Sequence, residues 1–340
     1  MTPIFISCGD ANGIGPEVTL KALALLPERI RSRVLLAGPV RALAELNALL
    51  GEPLHLEVVQ SIRDWGKLRT KRSVRQVCVL ELEGARDFIP SYGRISSESG
   101  RIAGRGIMWG TAACLAGEAS ALVTAPVSKE ALHSAGFQYP GQTEMIASLA
   151  GFHRVIMILT SSACRVGLAT THTALRDVSS LLTQDLVLEK IFALNEALNT
   201  WFGIAEPKIG VCALNPHASD GGIFGCEEQD VIIPAIDKAR VLGIQAEGPF
   251  PADAPFSRRR DFDGILALYH DQGMIPIKII ALGEAVNFTG GLPFPRTSPD
   301  HGTAFDIAGK LIADPRSMEK AIRLADEFSL RKKRNLQAAG

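Results

Sequence analysis

Three histidines occupy the same position relative to apolar runs. Residues 166–170 lead into Thr171-His172, residues 209–214 into Asn215-Pro216-His217, and residues 265–269 into His270-Asp271. If each run is a buried strand of a parallel sheet, each histidine lies past a carboxyl end, on the one edge where such sheets bind ligands. Neutral imidazole is a common ligand for zinc and related divalent ions. One histidine in such a place is more often a satisfied structural residue. Three in equivalent places make a shared ion a live alternative. Carboxylates are close in sequence: Asp271 adjoins His270, and Asp253 ends the segment Gly248-Pro249-Phe250-Pro251-Ala252-Asp253. Either could bind the ion, hold a ligand from behind or accept a proton. Asp253 by itself reads more simply as a turn or helix-cap aspartate.

Cations stand beside polar turns. Lys278 lies inside the apolar run 275–280, where a lysine needs a partner. Arg296 sits in Pro293-Phe294-Pro295-Arg296-Thr297-Ser298, and Asn287 precedes a Gly290-Gly291 pair. Together they could hold a phosphate, with arginine offering a fork and lysine a point charge. Arg258-Arg259-Arg260 reads instead as a solvated loop. The segment from Gly9 to Glu17 is glycine-rich and follows the apolar run 4–8. Pro16 suits a first helical position and Glu17 complements the helix dipole. Its spacing is not G-x-G-x-x-G. A tight turn with no ligand and a turn that approaches one are equal readings of it.

The elements that would position these groups alternate. Runs at 4–8, 121–124, 155–160, 166–170, 209–214 and 265–269 read as buried strands, and segments at 19–26, 102–116, 186–202, 230–242 and 318–328 as helices. Such alternation implies an α/β fold with a largely parallel sheet. The 340 residues, 46% hydrophobic, suffice for one large core or two ordinary ones. Lysine plus arginine equals aspartate plus glutamate, 36 each. That balance argues against nucleic-acid binding and against attraction to anionic membranes. The start, MTPIFISCGD, does not read as a secretory signal, and no apolar stretch reaches spanning length. Six scattered cysteines with no C-x-x-C pair read as reduced, buried thiols of a cytoplasmic protein. Arg331-Lys332-Lys333-Arg334 reads as a frayed, solvated end.

From about Ile4 to Phe328 the chain resembles the 4-hydroxythreonine-4-phosphate dehydrogenase family of the pyridoxal phosphate pathway. The resemblance is carried by Thr171-His172 with Leu175-Arg176-Asp177, by Asn215-Pro216-His217, by Tyr269-His270-Asp271-Gln272-Gly273, and by the segment from Thr297 to Ala304. It implies a two-domain fold like that of isocitrate and isopropylmalate dehydrogenases, without a Rossmann domain, with the active site in the interdomain cleft. Residues 1–140 with 305–340 would form one domain facing the cofactor. Residues 141–304 would carry the metal ligands and a homodimer interface. The implied ligands of a divalent ion (zinc, magnesium or cobalt) are His172, His217 and His270. The implied substrate contacts are Thr143, Lys278, Asn287 and Arg296, with Gln142 beside them and Asp253 or Asp271 as proton acceptor.

The implied reaction passes hydride from the alcohol of 4-phosphooxy-L-threonine to NAD or NADP. The β-keto acid then loses CO2 to give 3-amino-2-oxopropyl phosphate. Four positions depart from the family pattern. Gln142 replaces a histidine, Ala11-Asn12 replaces Pro-Ala, and Ala254 replaces a threonine. Gln142 can hydrogen-bond but cannot become a cation. The departures leave open a threonate or erythronate 4-phosphate, or a carboxylated dihydrodiol, as substrate. They also leave open a metal-dependent ligand-binding protein without turnover.

Overall fold

The computed structural model describes residues 2–68 and 74–338. The chain divides into two compact units, Met1–His153 with Leu292–Gly340, and Arg154–Gly291. The second unit is narrower than the segment 141–304 expected from sequence. Gln142, Thr143 and Arg296 therefore belong to the first unit, and Lys278, Asn287 and the three histidines to the second.

In chain order the strands are β1 (Ile4–Ser7), β2 (Val34–Gly38), β3 (His55–Val59), β4 (Gln76–Glu81), β5 (Ala121–Thr124) and β6 (Ile156–Thr160). They continue with β7 (Arg165–Leu168), β8 (Lys208–Cys212), β9 (Gln245–Phe250), β10 (Gly264–Ala267), β11 (Val286–Gly290) and β12 (Arg296–Pro299). In the first unit the order is β3-β4-β2-β1-β5-β12, with parallel pairing throughout. Strands β1, β2 and β5 are buried along their whole length, as strands covered on both faces must be.

In the second unit the order is β11-β6-β7-β10-β8-β9. Strands β7, β10, β8 and β9 run parallel, but β6 is antiparallel to both its neighbours. The expectation of a largely parallel sheet thus holds with one exception, and its cause is local. Ser161 N–H donates to the Cys164 carbonyl at 3.0 Å, closing a short turn from β6 into β7. A connection that short can join only antiparallel strands.

The helices begin where capping chemistry allows. Ser96 accepts from Ser99 N–H at the start of Ser97–Leu115, and Thr183 accepts from Leu186 N–H at the start of Gln184–Ala197. The former helix packs so close to the sheet that a Cβ on Gly110 would lie 2.5 Å from Leu122 Cδ1. Three expectations are corrected. The final helix, Arg316–Ala338, runs through the basic tail instead of fraying before it, and Lys332 Nζ donates to the Pro293 carbonyl at 2.7 Å. The apolar run around Lys278 belongs to the helix His270–Ala281, where Ile277 is buried while Ile275, Lys278 and Ile279 are exposed. The helical period therefore carries Lys278 to solvent. Five cysteines are buried free thiols, but Cys226 is exposed. No helix among the described residues is long and apolar enough to cross a membrane.

Candidate active site

In the second unit, β7, β10 and β8 are adjacent and parallel, so their carboxyl ends share one edge. His172 follows β7, His270 opens the helix after β10, and His217 follows β8. The first two ends are tied by backbone and side chain. Ala169 N–H donates to the Ala267 carbonyl at 2.8 Å, and Thr170 Oγ1 donates to the Leu268 carbonyl at 2.8 Å. The His172 and His270 rings lie 6.0 Å apart between centroids. Two imidazoles on one tetrahedral ion would have centroids roughly 5 Å apart, given metal–nitrogen distances of about 2.0–2.1 Å. The pair is thus within a small side-chain movement of a shared ion.

Asp271 Oδ1 lies 2.7 Å from His270 Nδ1. That contact fixes the ring and leaves Nε2 as the nitrogen able to bind a metal. His217 is exposed on a loop whose backbone is left-handed from His217 to Gly221, with φ between 48° and 73°. Such a run is costly for residues with a Cβ and persists only where surroundings over-determine it. Among the described residues no three histidine, cysteine, aspartate or glutamate side chains stand together as a finished metal cage. The structure brings His172 and His270 together and places His217 on the neighbouring strand end. The donor chemistry, two facing imidazoles with a carboxylate behind one, fits a divalent ion.

The remaining nominated residues of this unit are spread along its elements. Asp253 opens the short helix Asp253–Ser257 and is exposed. Asn287 lies in β11, and its buried Oδ1 accepts no hydrogen bond among the described residues. A buried acceptor left so costs about 1–3 kcal/mol, and a ligand amine or hydroxyl would satisfy it.

In the first unit Arg296 opens β12 and is 2% exposed. Its Nη2 donates to Thr124 Oγ1 at 2.8 Å and to Gln142 Oε1 at 3.3 Å, and its Nη1 to Thr143 Oγ1 at 3.2 Å. Burial pushes the guanidinium down to about 10, against the pull of Glu144. Gln142 turns its amide oxygen to Arg296 and its NH2 toward the Ala125 carbonyl, 3.4 Å away. Thr124 was not foreseen. Its only trace in the sequence is a hydroxyl at the end of an otherwise apolar strand.

The glycine-rich turn is buried. Ile14 N–H donates to the Thr303 carbonyl at 3.0 Å, and a Cβ on Gly13 would lie 2.8 Å from that oxygen. Its glycines let two chain segments meet. Asn12, one of the departures, is absorbed by the fold. Its amide donates to the Arg94 carbonyl and to Ser96 Oγ, and accepts from Ser91 N–H.

Comparison with known proteins agrees over most of the chain. The model of the pyridoxal phosphate biosynthetic protein PdxA family matches residues 31–325. A 4-hydroxythreonine-4-phosphate dehydrogenase of Sulfurihydrogenibium sp. (strain YO3AOP1) is 40% identical, covering 96% of this chain and 98% of that protein. A D-threonate 4-phosphate dehydrogenase of Cupriavidus necator is 42% identical, covering 97% and 98%. The crystal structure of 4-hydroxythreonine-4-phosphate dehydrogenase from Klebsiella pneumoniae superposes with a TM-score of 0.85 at 35% identity, covering 97% of this chain and all of that one. A family model that covers residues 31–325 and relatives matched over nearly their whole length leave one assignment: the chain belongs to the PdxA family of pyridoxal phosphate biosynthesis.

Proposed function

We propose that this protein is a cytoplasmic, metal-dependent dehydrogenase that oxidises the alcohol of 4-phosphooxy-L-threonine with NAD or NADP, and that the β-keto acid then decarboxylates. The observation that carries this reading is the facing pair His172 and His270, with Asp271 holding His270, at the carboxyl edge of a sheet of the dehydrogenase family. When bound, a zinc, magnesium or cobalt ion acidifies the alcohol and steadies the charge left by departing CO2, while the nicotinamide takes the hydride. His172, His270 and His217 would hold that ion. Asp253 or Asp271 takes the hydroxyl proton. Arg296 presents its guanidinium, already oriented by Thr124 and Thr143, to the phosphate. Asn287 Oδ1 receives a donor from the substrate.

A second reading, oxidation of D-threonate 4-phosphate, is favoured by one observation. Gln142 stands where the family carries a histidine, and its oxygen is committed to Arg296. A panel of 4-phosphooxy-L-threonine, D-threonate 4-phosphate and their unphosphorylated parents, read by NADH or NADPH absorbance, decides between them. The first reading expects the highest kcat/KM on 4-phosphooxy-L-threonine, abolished by chelation. A higher value on D-threonate 4-phosphate would establish the second. Metal binding with no reduced nicotinamide from any compound would sink both in favour of a non-catalytic ligand-binding protein.

We further propose a homodimer formed through the second unit. Ile275, Ile279 and Leu282 are 58%, 68% and 74% exposed, and Leu175, Ile223 and Phe224 are exposed in the same unit. Large apolar groups left outward in such number suit a self-complementary interface. Light scattering at assay concentration should give twice the chain mass, and Ile275→Asp with Ile279→Asp should give a monomer. A wild-type monomer with full activity would end the idea.

A further inference from the structure

The strand ends that carry the histidines are cross-tied by side chains that the reaction leaves unused. Gln272, buried two residues past His270, accepts from Leu268 N–H through Oε1 at 2.7 Å and donates to the Ala213 carbonyl through Nε2 at 2.7 Å. It joins the turn after β10 to the end of β8. Glu228, 1% exposed, takes up the next two residues. Its Oε1 accepts from Leu214 N–H at 2.9 Å and from Asn215 N–H at 2.8 Å, and its Oε2 accepts from Asn215 Nδ2 at 3.0 Å. Asn215 Nδ2 also donates to Glu227 Oε2 at 2.8 Å. Residues 213, 214 and 215 are therefore fixed one after another, and Pro216 restricts the single step that remains before His217.

We propose that Gln272 and Glu228 are positioning residues that together deliver His217 to an ion shared with His172 and His270. The inference rests on the three-histidine reading above. A buried carboxylate that accepts two amide protons could merely satisfy the loop. Two features go beyond that. Gln272 spends both ends of its amide across two different strand ends, which relates the His270 turn to the His217 loop directly. The loop beyond Pro216 is left-handed from His217 to Gly221. Backbone of that kind does not hold its own place and needs fixing from outside. Ion binding tolerates only a few tenths of an ångström in ligand position. Partners that orient a ligand are commonly worth 10–100-fold in metal affinity.

The test is a Co2+ titration of the metal-stripped full-length protein, followed by visible absorbance, for wild type, Gln272→Met, Glu228→Gln and His217→Ala. Glu228→Gln keeps shape and one acceptor but turns an NH2 against Asn215 Nδ2, so it probes the brace even if Gln272→Met fails to fold. The expected result is a Co2+ Kd raised about 10–100-fold in each brace variant. The Co2+ bands should also shift, while circular dichroism and nicotinamide cofactor affinity stay at wild-type values. A brace of purely structural importance would lower the melting temperature without moving Kd or the bands. Wild-type Co2+ affinity in folded Glu228→Gln, beside weakened binding in His217→Ala, overturns the inference alone. Wild-type affinity in His217→Ala overturns the ligand assignment and the inference with it.

Discussion

His270→Ala is expected to lose most of the bound divalent ion and to lower kcat/KM by more than a hundredfold. Removing a group that only orients a ligand costs about 10–100-fold, and removing the ligand itself should exceed that. His172→Ala should behave alike, because its ring faces His270 across 6.0 Å. Asp271→Asn should fall inside the smaller range. It keeps an oxygen near His270 Nδ1 but withdraws the negative charge that makes the imidazole a better donor. Both effects should appear in metal content measured by atomic emission as well as in turnover. Full metal stoichiometry and full turnover in His270→Ala after chelation would refute the assignment.

The edge that carries these histidines was legible because buried parallel strands have a simple signature. With both faces covered, β7, β8 and β10 read as unbroken apolar runs, and whatever follows each run falls on the same edge. Strand β3 escaped notice for the opposite reason. It ends the row of strands, and its burial pattern is mostly exposed or half-buried. The residues around Lys278 could be read in either period, since a short apolar run does not distinguish strand from helix. The helix starting at His270 decided it and turned the lysine outward.

The first unit shows where reading a sequence runs out. Thr124, Gln142, Thr143 and Arg296 meet through side-chain hydrogen bonds that span up to 172 positions. No local period encodes such a meeting. Gln142 was legible as a departure from the family, but its role was not. The residue type says that it hydrogen-bonds without becoming a cation, but not that its oxygen faces a cation of the chain itself. The same holds for Glu228 and Gln272, whose residue types say nothing of the strand ends they join.

Arg296→Leu is expected to lower kcat/KM for the phosphorylated substrate about a thousandfold while shifting the melting temperature by only a few degrees. Two terms decide the stability side, and they oppose. Burial holds the guanidinium at about 10, below its ordinary value, a penalty on the order of 3 kcal/mol that leucine relieves. Leucine also leaves the oxygens of Thr124, Thr143 and Gln142 without their donor, at about 1 kcal/mol each. The two nearly cancel. Nothing comparable offsets the loss on the substrate side, where a fork of two charge-assisted hydrogen bonds to phosphate is worth roughly 3–6 kcal/mol.

The pH dependence follows from the same shift. The folded value lies below the unfolded one, so the unfolded chain binds more protons from about pH 10 up to the ordinary arginine range. Stability from this group therefore rises with pH across that window, and its cost is constant below it. At neutral pH Arg296 is charged. KM for the phosphorylated substrate should climb as pH passes about 10, and Arg296→Leu should lack that limb. Gln142→Leu removes one acceptor at 3.3 Å and leaves the cation, so it should cost only several-fold in KM with kcat little changed. The decisive measurement is kcat/KM for phosphorylated and unphosphorylated substrates in the three proteins across pH, beside their melting curves. An Arg296→Leu protein that keeps its preference for the phosphorylated compound would show that the phosphate is held elsewhere.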